Sequence, residues 1–106
     1  MKYGLSQATI HKIRTVLARH SQVEQAVLYG SRAKGDYKNG SDIDLTLEGS
    51  GLNLSVINSL LNEVDDLLLP YTFDVSIFKQ INNVDLIEHI ERVGKVFYEK
   101  QLYEND

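Results

Sequence analysis

Asp42 and Asp44 open the run Asp42-Ile43-Asp44-Leu45-Thr46-Leu47-Glu48, in which polar and apolar residues alternate strictly. A strand sends successive side chains to opposite faces, so both carboxylates point the same way while Ile43, Leu45 and Leu47 line the other face. Asp74 holds the same kind of position in a second alternating run, residues 71–78, whose apolar face is Phe73, Val75 and Ile77. If these runs are neighbouring strands, three carboxylates converge on one spot. Like charges at short range raise one another's pKa, so such a cluster calls for cations. Mg2+ suits it, being a hard ion that takes carboxylate oxygens and keeps water and phosphate as its other ligands. The chain has no cysteine, and no histidine lies near the motif, which argues against zinc. Three carboxylates can hold two Mg2+ ions, and two ions can clamp the attacking and leaving oxygens of an in-line phosphoryl or nucleotidyl transfer.

A second feature lies upstream, in Gly30-Ser31-Arg32-Ala33-Lys34-Gly35, directly after a short apolar run Ala26-Val27-Leu28-Tyr29. A glycine lets backbone approach a phosphate closely. The N–H groups opening a following helical turn can bind the anion, and the Ser31 hydroxyl adds a donor. Arg32 and Lys34 bring positive charge to this stretch. Carboxylates for metal and donors for phosphate together describe a metal–nucleoside-triphosphate site.

The elements that must position these residues follow from periodicity. Ser6 can cap a helix running to about His20, with Ile10, Ile13, Val16 and Leu17 inward. Residues 26–29 and 42–48 read as strands, with a short helical turn between them. Gly49-Ser50-Gly51 is a turn. A second helix is expected to reach about Leu69, with Ile57, Leu60, Leu61, Val64 and Leu68 inward, stopped by the single proline, Pro70. Asn83 caps a third helix with Ile87, Ile90 and Val93 inward, which Gly94 can close in a left-handed conformation. Residues 95–98 read as a last strand, and the polar tail from Glu99 is expected to fray. The order α-β-β-α-β-α-β gives an α/β (α+β) fold: a small mixed sheet with helices on one face and an open catalytic face.

The bulk properties agree. At 106 residues the chain is expected to be one domain, residues 1–106, with 42% hydrophobic and 25% charged residues, ordinary for a globular protein. No apolar run approaches the ~18 residues of a membrane span. The first residues, Met1-Lys2-Tyr3-Gly4, lack the apolar segment of a secretory signal, so the expected compartment is the cytoplasm. The net charge of −4 argues against direct binding to nucleic acid backbone.

Gly30-Ser31, ten intervening residues, then Asp42-Ile43-Asp44 forms the G-S-x10-D-x-D pattern of the polymerase-β-like nucleotidyltransferase superfamily. The longer run from Gly30 to Leu45, and the ending Ile90-Glu91-Arg92-Val93-Gly94-Lys95-Val96-Phe97-Tyr98, resemble the minimal nucleotidyltransferases (MNT). The resemblance spans roughly Ser6 to Glu99. It implies that Asp42 and Asp44 ligate both metals, and that Asp74 completes one metal's shell and orients the attacking hydroxyl. It further implies that Gly30 and Ser31 hold the triphosphate, and that Arg32 meets the developing pyrophosphate charge. MNT proteins resemble catalytic cores without the helical domain that holds the acceptor in larger relatives. They pair with a helical HEPN-family ribonuclease toxin, and characterised members transfer AMP from ATP to a tyrosine of that toxin, acting as its antitoxin. The implied cofactors are therefore Mg2+ and ATP, and the implied partner a HEPN toxin.

Other residues are expected to be plain. His20 suits a helix C-terminus, His11 and His89 are expected on helix surfaces, Lys38 faces solvent, and Ser41 satisfies a turn. Tyr29 and Phe78 fall on the site side of the sheet. Two rival functions stay open: an antitoxin that occludes its partner without chemistry, and a transferase whose small-molecule acceptor pocket is completed by another subunit.

Overall fold

The computed structural model describes residues 1–101. Its elements are α1 (Gln7–Ala18), β1 (Gln25–Tyr29), α2 (Ser31–Lys34), β2 (Ile43–Glu48), α3 (Leu54–Asp65), β3 (Phe73–Ile77), α4 (Val84–Val93) and β4 (Lys95–Glu99), with a 3-10 turn at Phe78–Gln80. The expected order holds, including the short helical turn between the first two strands. The far end of the expected fraying tail, residues 102–106, lies outside the described residues.

The strands form one sheet in the order β3-β2-β1-β4. β1 runs antiparallel to both β2 and β4, whereas β3 is parallel to β2. A parallel pair needs a crossover, and α3 supplies it. Alternation then sorts the side chains. Ala26, Leu28, Ile43, Leu45, Leu47, Ile77 and Phe97 form one core with Ile10, Ile13, Val16 and Leu17 of α1 and Ile57, Leu60 and Val64 of α3. Each of these side chains larger than Ala26 contributes roughly 1.5–3 kcal/mol on burial.

The helix starts at Ser6 and Asn83 follow the expected capping chemistry, and Asn53, not singled out from sequence, caps α3 in the same way. Ser6 Oγ accepts from the Thr9 N–H at 3.1 Å, and the Asn53 and Asn83 side chains accept from Val56 N–H and Leu86 N–H at 3.0 and 3.1 Å. Two expectations about helix ends are corrected. α3 stops at Asp65, and Leu68 has left the helix with φ 55° and is 88% exposed rather than inward. Proline bars helical backbone at the residue before it, so the chain must turn out ahead of Pro70. Gly94 is extended (φ −61°, ψ 145°), not left-handed. Its lack of a side chain serves space instead: a Cβ there would overlap the Ile90 carbonyl oxygen and stand 2.7 Å from Val27 Cγ1.

That close approach shows where α4 lies. Val27 and Tyr29 alternate with the core residues Ala26 and Leu28, so they face the opposite side of the sheet. Contrary to the expectation that the helices share the core face, α4 packs there, with Ile90 buried and His89 edge-on to Tyr29. The face is thus flanked by α4 over β1, closed at Thr46, which is fully buried, and open at Asp42 and Asp74. Among the described residues no helix is long and apolar enough to cross a membrane.

Candidate active site

Register places the acids. Asp44 is the partner of Tyr29 across the antiparallel pair and of Asp74 across the parallel pair. Tyr29, Asp44 and Asp74 therefore form a row over three strands on the face away from the core. The next row is Val27, Thr46 and Ser76, where the Ser76 hydroxyl donates to Thr46 Oγ1 at 3.0 Å. Asp42 immediately precedes β2, two residues before Asp44, and is exposed like Asp74, while Asp44 is half-buried.

Burial is the first cause that holds the Asp44 carboxyl above the ordinary carboxylate range; the negative charges of Asp74 and then Asp42 push it further. The Tyr29 phenol, only 7% exposed, is likewise raised first by burial. A side-chain hydrogen bond with Ser76 works against that rise, and the charges of Asp74 and Asp44 add to it. Among the described residues, none of the three aspartates joins an ion pair. Nor does any group of three or more His, Asp or Glu side chains there close into a ready-made metal shell. What exists is an all-oxygen, uncompensated negative cluster, a donor set that fits a hard divalent cation bringing its own water or phosphate ligands.

Gly30 sits directly beside this cluster. Its backbone (φ 77°, ψ −157°) lies in a region open essentially to glycine alone, and a Cβ would overlap Asp44 Oδ2. The glycine is thus required twice, for the sharp exit from β1 and for room beside the carboxylate. Ser31 follows as the first residue of α2, and Gly35 ends that turn in a left-handed conformation. Lys34 is exposed and pairs with Asp36 at 3.3 Å.

Arg32 departs from its expected role at the phosphates. It is 2% exposed and turned inward. Nη1 donates to the Tyr3 carbonyl at 2.9 Å, while Nε and Nη2 donate to the Ser41 carbonyl at 3.1 and 2.9 Å. The guanidinium also lies 5.4 and 4.9 Å from the ring centres of Tyr37 and Tyr71. It therefore staples the N-terminal turn to the loop that delivers Asp42. Ser41, for its part, satisfies a turn as expected, its Oγ accepting from Lys38 N–H at 2.8 Å.

His89 departs from its expectation as well. Rather than facing solvent, its Nε2 accepts a hydrogen bond from Gly30 N–H at 3.1 Å. Sequence spacing gives no signal for this contact, because it spans 59 residues and depends on which face α4 covers. His20 pairs with Glu63 at 3.0 Å, joining α1 to α3 well away from the acids. Phe78 is half-buried at the start of the 3-10 turn after β3.

Comparison with known proteins places this geometry. One solved neighbour is a toxin–antitoxin complex with AMP-PNP, at TM-score 0.70 and 20% identity, covering 87% of this chain and 74% of that one. Another is the tri-AMPylated Shewanella oneidensis HEPN toxin in complex with its MNT antitoxin, at TM-score 0.67 and 18% identity, covering 92% and 75%. A third is a MntA–HepT toxin–antitoxin complex, at TM-score 0.65 and 18% identity, covering 91% and 74%. These likenesses establish a shared fold, in agreement with the resemblance carried by the run from Gly30 to Leu45. Comparison with curated proteins returns no match. The sequence model of the family described as "Polymerase beta, Nucleotidyltransferase" matches residues 11–102, most of the chain, and on that ground the protein belongs to the polymerase beta nucleotidyltransferase family.

Proposed function

We propose that this chain is an Mg2+-dependent nucleotidyltransferase that transfers AMP from ATP to a tyrosine hydroxyl of a HEPN-family ribonuclease toxin and so acts as the toxin's antitoxin. The observation that carries the reading is the row of Asp44 and Asp74 in register on parallel strands, with Asp42 two residues away and Gly30 against Asp44. Family membership supports the reaction class. The solved neighbours, which hold AMP-PNP in one case and a tri-AMPylated HEPN toxin in another, support the donor and the acceptor.

Asp42, Asp44 and Asp74 would hold Mg2+, which when bound neutralises charge on the triphosphate. Gly30 leaves room for the Asp44 carboxylate beside the turn, and Ser31 offers its hydroxyl to the phosphates. Lys34, exposed on α2 and paired with Asp36, would turn to the phosphates to add positive charge. Asp74, on the exposed end of the row, orients the acceptor hydroxyl. That oxygen attacks the α-phosphorus, the bond to the bridging oxygen of the β-phosphate breaks, and pyrophosphate leaves as the hydroxyl proton passes to solvent water. Most of the acceleration comes from positioning and fixed charge. The acid face is open at Asp42 and Asp74, so the acceptor surface is completed by the partner.

The test uses ATP labelled on the α-phosphate and, separately, on the γ-phosphate, with Mg2+ and lysate from the protein's own source. Transfer of α-label, but not γ-label, to a discrete protein band is expected, absent with Asp42→Asn and Asp44→Asn. Wild-type levels of labelling by both variants would refute the site. Neutralisation of the toxin by both variants without labelling would instead identify an occluding antitoxin, and label recovered only in a small molecule would identify a different acceptor.

A further inference from the structure

Of the residues of α4, His89 is the one whose side chain bonds into the site. The contact answers a specific need. Gly30 has no side chain to anchor it and occupies a backbone region that only glycine enters readily. The β1–β2 ladder ends at the Tyr29–Asp44 pair, so the sheet pairing does not extend to Gly30. His89 Nε2 meets the Gly30 N–H at 3.1 Å. A backbone N–H can only donate, so Nε2 carries the lone pair and the ring proton resides on Nδ1.

The imidazole is itself well placed. Its ring stands edge-on to Tyr29, centroids 6.2 Å apart at 80°. Ile90, the next residue, is buried under α4, and Gly94, one turn further on, allows that helix to close against Val27. The docking of α4 on β1 is thereby passed through one side chain to the peptide that opens the Gly30–Ser31 turn.

We infer that His89 is a positioning residue of the nucleotide site: by holding the Gly30 amide it fixes the direction in which Ser31 presents its hydroxyl and N–H to the triphosphate. This rests on the reading of Gly30 and Ser31 as the phosphate-binding turn. An apolar side chain of similar size could fill the same space and pack on Tyr29. It could not accept the amide proton, and the glycine peptide would then sample other orientations.

The experiment compares wild type with His89→Leu, His89→Gln and His89→Asn. It follows the Gly30 and Ser31 amides by 15N–1H NMR during titration with Mg2+ and ATP. In His89→Leu the Gly30 amide should shift upfield and exchange faster with solvent, and affinity for Mg2+–ATP should fall roughly tenfold, the size of one lost hydrogen bond. Glutamine, whose amide oxygen can accept at similar reach, should restore most of both. Asparagine, one methylene shorter, should not, which keeps the comparison decisive if the leucine variant folds poorly. Equal affinity in wild type and His89→Leu with an unchanged Gly30 amide would overturn the inference. So would equal losses for leucine and glutamine, which would make His89 a packing residue only. Absence of any nucleotide-dependent shift at Gly30 and Ser31 in wild type would overturn the phosphate-turn reading itself, and the role of His89 with it.

Discussion

Replacing Arg32 with methionine separates a phosphate ligand from a structural staple, because the two predict opposite effects on stability. Methionine keeps the apolar stem and removes every donor. In the structure two partly buried carbonyls depend on those donors: Tyr3 O through Nη1 at 2.9 Å, and Ser41 O through Nε and Nη2 at 3.1 and 2.9 Å. Hydrogen bonds to a charged group contribute about 1.5–3 kcal/mol each, and with two acceptors abandoned the gross loss is about 3–6 kcal/mol. Losing the cation over Tyr71 adds about 1 kcal/mol. Relief from burying an unpaired cation offsets part of this, leaving a net loss of about 3 kcal/mol. For a domain of this size each kcal/mol moves Tm by roughly 4–8 °C, so the variant should melt about 12–24 °C below wild type. Circular dichroism melts in metal-free buffer measure this directly. A variant that melts within about 3 °C of wild type, yet loses Mg2+–ATP affinity, would refute the staple and return Arg32 to the phosphates.

The acid row gives a pH prediction with a definite sign. Asp44 has a folded-state pKa raised by burial and by Asp74 and Asp42, so its contribution to stability is full below the unfolded carboxylate value of about 3.9 and is lost as pH rises through the raised folded value. In metal-free buffer the Tm of Asp44→Asn minus that of wild type should therefore grow with pH over that window. Mg2+ should raise the Tm of wild type at neutral pH and leave that of Asp44→Asn nearly unchanged; a pH-independent difference would contradict the clustered charge. Gly94→Ala, whose new methyl overlaps the Ile90 carbonyl and crowds Val27, should lower stability by about 1–3 kcal/mol by lifting α4 from β1. Urea unfolding checks it, and an unchanged midpoint would show that α4 is not seated as tightly as described.

Local rules carried the sequence reading far. Ser6 and the stripe Ile10, Ile13, Val16 and Leu17 specify α1 because capping and helical periodicity are properties of adjacent residues. Alternation did the same for β2, and it put Asp44 on the face away from Ile43 and Leu45 before any partner strand was known. The pairing with Asp74 needed only that β3 lie beside β2. What stayed hidden depends on the third dimension. An amphipathic stripe says that α4 packs, not on which side of the sheet, so the contact of His89 with Gly30 was unreadable. Arginine after a Gly-Ser turn looks like a phosphate ligand, and nothing in the neighbouring residues announces that Tyr3 and Ser41 take up its donors. Gly94 shows the same limit: its position after a helix suggests a conformational role, whereas the structure uses its missing side chain for clearance.

The sheet order has a consequence for how the chain acquires its shape. β1, second in the chain's element order, lies between β2 and β4, so one of its edges waits for the last strand. Phe97 of that strand, 1% exposed, enters the core, and its carbonyl accepts from Arg14 Nε at 2.7 Å, tying residues 83 positions apart. Until β4 docks, the first six elements, from α1 to β3, leave the outer edge of β1 bare and a gap in the core beside α1. An unpaired edge invites pairing with any available strand, and contacts of such long sequence separation form slowly. The folding chain is therefore most exposed to misassociation before residues 95–99 pair with β1, and the yield of folded protein on refolding from denaturant should fall as protein concentration rises.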